Sequence, residues 1–382
     1  MPAATRFRVR APYRFNPLGA HVDHQGGDVL ARTLELCTEL VGRPLSEPRL
    51  KLVASLHGVE QTLDARFDTP TGAGDPPDGQ QERWRRYALG AARVLARRHR
   101  LSHGLDARVD GSMVAAGLSS SASFLLALLA GLAEANGLAL SNADLVDAVR
   151  EVEHEHLGLT NGLQDQLSIV HGRRGCIAQL SMDDGTASHV PDPVGGDVRW
   201  LLCFSGVSRE LVGSGFNTRV AECGEAAGWL QAGAHRLADV APERRDLAAL
   251  HRHAPVLARR ARHVYSEMMR VRDGAAAWRA GDVARFGQLM NVSCKSSIED
   301  YESGSEYLVA LQGIAGETSG VLGSRFSGGG YGGCLVMLVQ AAAVDEIGAS
   351  VLAAYLSRYP DMTGIAHCFV AGDAGGVEVS AA

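Results

Sequence analysis

Residues 115–132 read AAGLSSSASFLLALLAGL. Gly117 permits a tight backbone turn, serines occupy 119–121, and from Phe124 onward the chain is almost continuously apolar. Such a run predicts a buried helix over 124–135. A loop of small residues feeding a helix N-terminus presents several N–H donors and the positive end of the dipole, a geometry that suits phosphate. The serine hydroxyls add donors, and one oxygen can ligate Mg2+. With no lysine, this is not the GxxxxGK[ST] loop. Nor is it the GxSxG of a serine hydrolase, because GLSSSAS has Leu118 and Ser119 in the wrong places. Taken alone, the stretch also fits a Ser-rich cap on a core helix.

Three further stretches are dense in chemistry. Residues 11–30, APYRFNPLGAHVDHQGGDVL, pack Arg14, a Pro-Leu-Gly turn, two histidines and an aspartate around Ala20. Residues 153–170, EHEHLGLTNGLQDQLSIV, place Glu153 and Asp165 twelve positions apart, across Gly158 and Gly162. Carboxylates so separated can serve different tasks, one on a metal and one as a base. His154 and His156 are two apart and face different sides of a helix. HExxH is absent, and His21-Val22-Asp23-His24 lacks further spaced ligands, so histidine ligation of a metal is not expected. Residues 324–339, SRFSGGGYGGCLVMLV, hold five glycines within 328–333, which means either a hinge or a close backbone approach to a ligand.

A chain of 382 residues exceeds what one core usually organises, so two domains are expected. The net charge of -6 leaves no basic footprint for nucleic acid, and Arg93 to Arg100 reads as the solvated end of a helix. No run reaches the roughly 18 apolar residues of a membrane span, and residues 1–15 do not read as a secretory signal. Cysteines at 37, 176, 203, 223, 294, 334 and 368 are scattered without Cys-x-x-Cys, which argues against disulfides and zinc and for a reduced, cytoplasmic setting.

Along the chain, RFRVR (6–10) alternates and predicts an edge strand. Residues 64–83 read as a loop and 84–99 as a helix. Ser141 caps a helix running to Gly158, with Asp144 three residues on. Strands are expected at 176–180, 200–207 and, as the last, 333–339. Helices are expected at about 217–232, 254–272, 275–293 and 305–315. Strands in both halves with helices between predict α+β in two domains, 1–190 and 191–382, divided within 185–197.

The four stretches, in this order, resemble the GHMP kinase superfamily and within it the galactokinase family. PYRFNPLGAHVDH is similar to that family's signature, AAGLSSSAS to its phosphate loop, NGLQDQ to its Asp-Gln segment and GSRFSGGGYGG to its C-terminal glycine loop. The resemblance covers nearly the whole chain. It implies the two-domain GHMP kinase fold: an N-terminal ribosomal protein S5 domain 2-like α/β domain, a C-terminal ferredoxin-like α+β domain, and an active site between them. It implies transfer of the ATP γ-phosphoryl group to a sugar's anomeric hydroxyl, with Mg2+, by a monomer or weak homodimer. Phosphoryl transfer is mostly positioning and charge stabilisation. By resemblance Asp165 is the general base and Arg14 its partner. Gly117, Leu118, Ser119, Ser120, Ser121 and Ala122 hold ATP phosphates, and Trp84 and Tyr87 line the adenine pocket. Ser121 and Glu153 ligate Mg2+. Ala20, His21, Asp23, Gly162, Asp165 and Phe216 surround the sugar, and Gly328, Gly329, Gly330 and Gly332 close on sugar and phosphates.

Two positions depart from the family pattern. Where galactokinases carry glutamate before the histidine, this chain has Ala20. A glutamate facing a uronic acid's C6 carboxylate at about 4 Å would cost roughly 4 kcal/mol at intermediate dielectric. Ala20 removes that repulsion, and residues 204–227 and 286–306 are similar to the galacturonokinase branch, so galacturonate is the expected substrate. Phe216 replaces the family's tyrosine before Asn217 and cuts the other way, since a lost phenolic hydrogen bond is worth about 0.5–1.5 kcal/mol. Galactose, galactosamine or arabinose are the alternatives, and a non-catalytic sugar and ATP sensor the remote one. A C6 carboxylate needs a cation, for which Arg219, His21 and Arg14 are candidates.

Overall fold

The computed structural model describes residues 6–56, 59–68, 83–112, 116–157, 162–208 and 215–382. The first sheet contains β1 (Phe7–Leu18), β2 (Val29–Leu45), β3 (Arg49–Leu56), β4 (Val59–Arg66), β5 (Gly104–Gly111), β6 (Cys176–Leu180) and β7 (Ala187–Pro191). Its eighth strand, β12 (Glu378–Ala381), comes from the far end of the chain. The order is β12-β1-β2-β5-β3-β4, with β6 paired to β2 and β7 to β6. Four helices accompany it: α1 (Arg83–Arg98), α2 (Ser120–Ala135), α3 (Asn142–Leu157) and α4 (Gln164–Val170).

The opening strand is longer than its alternation suggested. Burial alternates over Phe7 to Arg10, then becomes continuous from Ala11 to Leu18, because the second half is covered on both faces. Period two sends Tyr13 and Phe15 into an apolar cluster with Trp200, Trp278 and Phe286. Arg14 and Asn16 therefore point the other way. β1 is not an edge strand, since β12 pairs with it from Phe7↔Ala381 to Arg10↔Glu378.

The all-apolar α2 is buried on nearly every side, as a helix without a polar face must be. Ser123 anchors it: its hydroxyl donates to the Ala11 carbonyl (2.7 Å) and shares a hydrogen bond with the Thr38 hydroxyl (2.8 Å). The Ser141 cap forms: Asp144 N–H donates to Ser141 Oγ (3.2 Å) and Ser141 N–H returns to the Asp144 carboxylate (2.8 Å). Arg97 and Arg98 end α1 paired with Glu151 and Glu155 of α3, a helix end with helical partners. The 64–83 loop expectation fails at its start, where β4 runs to Arg66; residues 69–82 lie outside the described residues.

The second half is built on an antiparallel sheet ordered β11-β8-β10-β9: β8 (Val198–Phe204), β9 (Val321–Phe326), β10 (Cys334–Gln340) and β11 (His367–Val370). Around it run α5 (Phe216–Leu230), α6 (Leu247–His253), α7 (Pro255–Arg279), α8 (Val283–Glu299), α9 (Glu306–Glu317) and α10 (Val344–Arg358). The helices expected at 254–272 and 275–293 are divided elsewhere. α7 runs through Gly274 and stops before Gly281. Gly274 is a contact point, not a breaker: a Cβ there would come 2.2 Å from Leu18 Cδ1. Nor is β10 the last strand, for β11 and β12 follow. The expected boundary at 185–197 contains β7 of the first sheet, and the second sheet begins at Val198.

Candidate active site

A cavity opens where β1, α4, the start of α5 and the loop after β9 meet. Arg14, Asn16, Ala20, His21, Asp23, Gly162, Gln164, Asp165, Phe216, Arg325, Gly328 and Gly329 line it. The centre is an ion pair between residues 151 positions apart. Arg14, 2 % exposed, donates to Asp165 Oδ1 from Nη2 (2.6 Å) and Nε (3.0 Å). Its third nitrogen, Nη1, donates to the Gly117 carbonyl (3.1 Å). One guanidinium thus joins the carboxylate to the phosphate-type loop, with the fixed fork geometry that lysine lacks.

The loop is shaped by two left-handed residues, Gly117 (φ 75°) and Ser119 (φ 60°), just before α2. For serine that conformation is uncommon and costs free energy. Ser119 Oγ is buried and makes no hydrogen bond among the described residues. Ser121 is exposed on the first turn of α2. Leu118 and Ala122 have wholly buried side chains, so only their backbone can meet a ligand, and the Leu118 carbonyl already accepts the Arg14 N–H.

The C-terminal glycine loop is no hinge. It packs backbone to backbone on the phosphate-type loop. Cys334 N–H donates to the Ala116 carbonyl (3.0 Å), and Ser327 Oγ to that of Gly117 (2.9 Å). A Cβ on Gly333 would lie 2.3 Å from the Ala116 oxygen, which excludes any side chain. Gly328 and Gly329 reach the cavity wall. Gly330 instead takes the Ser305 N–H (2.7 Å), and Gly332 stands beside the Val207 and Ser208 carbonyls.

At the opposite end, burial raises the Asp23 carboxyl to about 6, assisted by the neighbouring charge of Asp165. Gly162 lies hard against it, its missing Cβ 2.3 Å from Asp23 Oδ2. His21 stacks on Tyr301 (ring centroids 4.2 Å apart, 11°) and its Nε2 meets Ser303 Oγ at 3.1 Å. His24 shares a hydrogen bond with Tyr301 Oη (3.0 Å) and stands edge-on to Phe216. Burial drives His24 down to about 4, so it is neutral at pH 7.

Trp84 and Tyr87 do not line the cavity. Both are buried on α1, Trp84 donating to Gln61 Oε1 and standing edge-on to Phe124 of α2. Glu153 is buried on α3, which packs beside α2. Among the described residues no three His, Cys, Asp or Glu side chains gather as a metal cage. Arg219 is a poor cation for substrate: it is off the cavity wall, paired with Glu222 (3.2 Å) and Glu302 (3.2 Å), and donates to the Tyr301 carbonyl.

Sequence reasoning missed three lining residues. Asn16, whose Oδ1 accepts from Gln164 Nε2 (2.6 Å), is two positions from Arg14 and was reachable from strand period. Gln164 adjoins Asp165. Arg325 gave only the weak signal of one cation, between Ser324 and Phe326, just before the glycine loop.

Fold and site together define an alcohol-acceptor phosphotransferase of the GHMP kind, with a Ser/Gly loop on a helix N-terminus facing a buried Arg–Asp pair. Residues 86–173 match GHMP kinases N terminal domain and 275–357 match GHMP kinases C terminal. A galacturonokinase from Arabidopsis thaliana is 36% identical over 376 residues, covering 92% of this chain and 88% of that protein. A galactokinase from Chloroflexus aurantiacus is 32% identical over 353 residues, with the same two coverages. The crystal structure of Lactococcus lactis galactokinase complexed with galactose superposes with a TM-score of 0.87 at 26% identity, covering 98% of this chain and 95% of that one. The chain belongs to the galactokinase family of the GHMP kinases and is a sugar kinase.

Proposed function

We propose that this kinase transfers the γ-phosphoryl group of ATP to the anomeric hydroxyl of galacturonate. The observation that carries the choice of sugar is Ala20, which presents no carboxylate to the cavity where galactokinases have glutamate. A uronate meets no like charge there.

Asp165 takes the C1 hydroxyl proton as that oxygen attacks the γ-phosphorus, and the bond to the ADP oxygen breaks. Arg14 holds Asp165 in place and spans to the Gly117 carbonyl, so base and phosphate loop keep a fixed separation. Backbone N–H groups from Gly117 to Ala122 and the hydroxyls of Ser119, Ser120 and Ser121 receive the phosphates. The buried Ser119 hydroxyl gains a partner when a phosphate oxygen arrives. Asp23 reads sugar hydroxyls, since one carboxylate accepts two hydrogen bonds. Trp84 and Tyr87 act at the adenine side through the packing of α1 on α2.

Mg2+ is bound in such sites by one or two protein oxygens plus phosphates, not by a protein cage. The donors available are one hydroxyl and one carboxylate: Ser121, exposed on the first turn of α2, and Glu153, buried on the neighbouring α3, would hold it. When bound, the ion neutralises charge on the β- and γ-phosphate oxygens.

ADP release across galacturonate, galactose, glucuronate, galactosamine and arabinose tests the reading. Galacturonate should lead; equal or greater turnover of galactose refutes it. Phe216 on the cavity wall, without a phenolic hydroxyl, supports the second reading of a kinase for galactose or a related sugar. The same panel separates the two. Binding of both ligands without ADP release would leave only a sensor.

A further inference from the structure

The wall behind Ala20 holds a cation outside the phosphoryl-transfer machinery. Arg325, on β9, is 1 % exposed and lines the cavity together with Ala20. Its Nε donates to the Phe326 carbonyl (3.0 Å) and its Nη1 to Ser293 Oγ (3.1 Å). Glu267 Oε1 stands 3.6 Å from Nη1. Among the described residues, Nη2 makes no hydrogen bond.

Glu267 is an incomplete counter-ion. Its Oε1 accepts from Gly19 N–H (2.7 Å), Ala20 N–H (3.1 Å) and Ser293 Oγ (2.7 Å), while Oε2 takes Arg270 Nε (2.6 Å). One carboxylate is therefore divided between two guanidinium groups and the turn that carries Ala20. Burial alone would raise Glu267, but Arg270 and Arg325 outweigh it and hold its carboxyl down at about 2. The balance of the cluster is two cations against one anion. Burial depresses the Arg325 pKa, a sign that its charge sits where solvation is poor. An undercompensated buried cation on a cavity wall favours an anionic ligand group.

We propose that Arg325 receives the C6 carboxylate of a uronic acid in the cavity, across the space left by the short Ala20 side chain. Glu267 is the positioning residue, fixing the guanidinium and the backbone of Gly19 and Ala20 as one unit. The other cations are committed elsewhere: Arg14 to Asp165 and Gly117, Arg219 to Glu222 and Glu302. In a protein with glutamate at position 20, a side-chain carboxylate would supply the missing charge; here the substrate supplies it. The inference rests on the galacturonate reading.

The test compares galacturonate with galacturonamide, its neutral isostere, by kcat and KM in the wild type, Arg325→Gln, Arg325→Lys and Glu267→Gln. In the wild type the acid should be preferred by about tenfold to a hundredfold, the worth of a hydrogen bond to a charged group, expressed in KM. Arg325→Gln should collapse that ratio while reducing galactose use by a smaller factor, and Arg325→Lys should restore part of it. Glu267→Gln keeps an oxygen acceptor for Gly19, Ala20 and Ser293 but removes the competing charge, so it should raise the ratio, which decides the matter even where Arg325→Gln does not fold. A ratio unmoved by Arg325→Gln, or lowered by Glu267→Gln, overturns the assignment. If the wild type prefers galactose, the galacturonate reading fails and this inference with it. If it prefers galacturonate but the acid-to-amide ratio ignores Arg325, only the Arg325 assignment fails.

Discussion

Alanine in place of Gly162 should cripple sugar use while sparing ATP. A Cβ at that position would lie 2.3 Å from Asp23 Oδ2, 2.7 Å from its Cγ and 2.8 Å from the backbone nitrogen of His24. Optimal carbon contacts are about 3.5–4.0 Å, so roughly 1 Å of movement is forced. The atoms in the way include backbone, and the Asp23 carboxyl is hemmed in beside Asp165. Moving Gly162 instead displaces Asp165, three residues on. A misplacement of about 1 Å can cost about a hundredfold in rate. The variant should lose about that factor in kcat/KM for the sugar, and ATP binding, which uses the other end of the site, should change by less than about threefold. Steady-state ADP release with each substrate titrated separately measures both, and a melting curve confirms folding. Sugar kcat/KM within about threefold of wild type would refute the assignment of Asp23 and Gly162 to the sugar.

Four further outcomes are expected. Asp23, raised to about 6, should give the sugar kcat/KM an acid limb near that pH, rising about tenfold per pH unit below it and flattened by Asp23→Asn. The same shift makes folding more favourable at low pH: the contribution from Asp23 is complete below about pH 4 and is lost as pH rises through about 6, which denaturant melts across that window can read. Asp165→Asn should abolish turnover but leave ATP binding measurable by calorimetry; retained turnover removes the base assignment. Ala20→Glu should depress galacturonate use far more than galactose use, by a factor reflecting roughly 4 kcal/mol of like-charge repulsion before screening, and parallel losses would show that residue 20 does not discriminate.

The parts of the fold that could be read from the letters were those where one local rule operates. The apolar run at 124–135, the Ser141 and Asp144 pair and the strand-like runs at 176–180 and 200–207 follow from propensity and burial, although the second strand lies at Val198–Phe204. The division expected between 272 and 275 fell where α7 continues through Gly274, whose missing side chain makes room for Leu18, some 256 residues away. Strands β11 and β12 were missed because four residues carry too little pattern, and β12 is exposed throughout. In the site, the residues near Arg14 and Asp165 were legible as a set because they crowd into short motifs. Arg325, on a strand, was not: its meaning depends on Glu267 and Ser293, which reach it from two helices, α7 and α8.

The pairing of β12 with β1 has a consequence for the nascent chain. About 360 residues separate these neighbours in the first sheet. At roughly 5–20 residues per second, β1 waits roughly 20–70 s for its outer partner. Until then the strand that leads into Arg14 has an open side, the kind of edge on which unfinished chains stick together. Arg8 and Arg10, facing outward beside Glu39, put charge on that edge during the wait. A chain ending at Val377 should show faster hydrogen exchange at residues 7–10 and a greater tendency to aggregate; unchanged exchange there would mean that the last strand seals nothing.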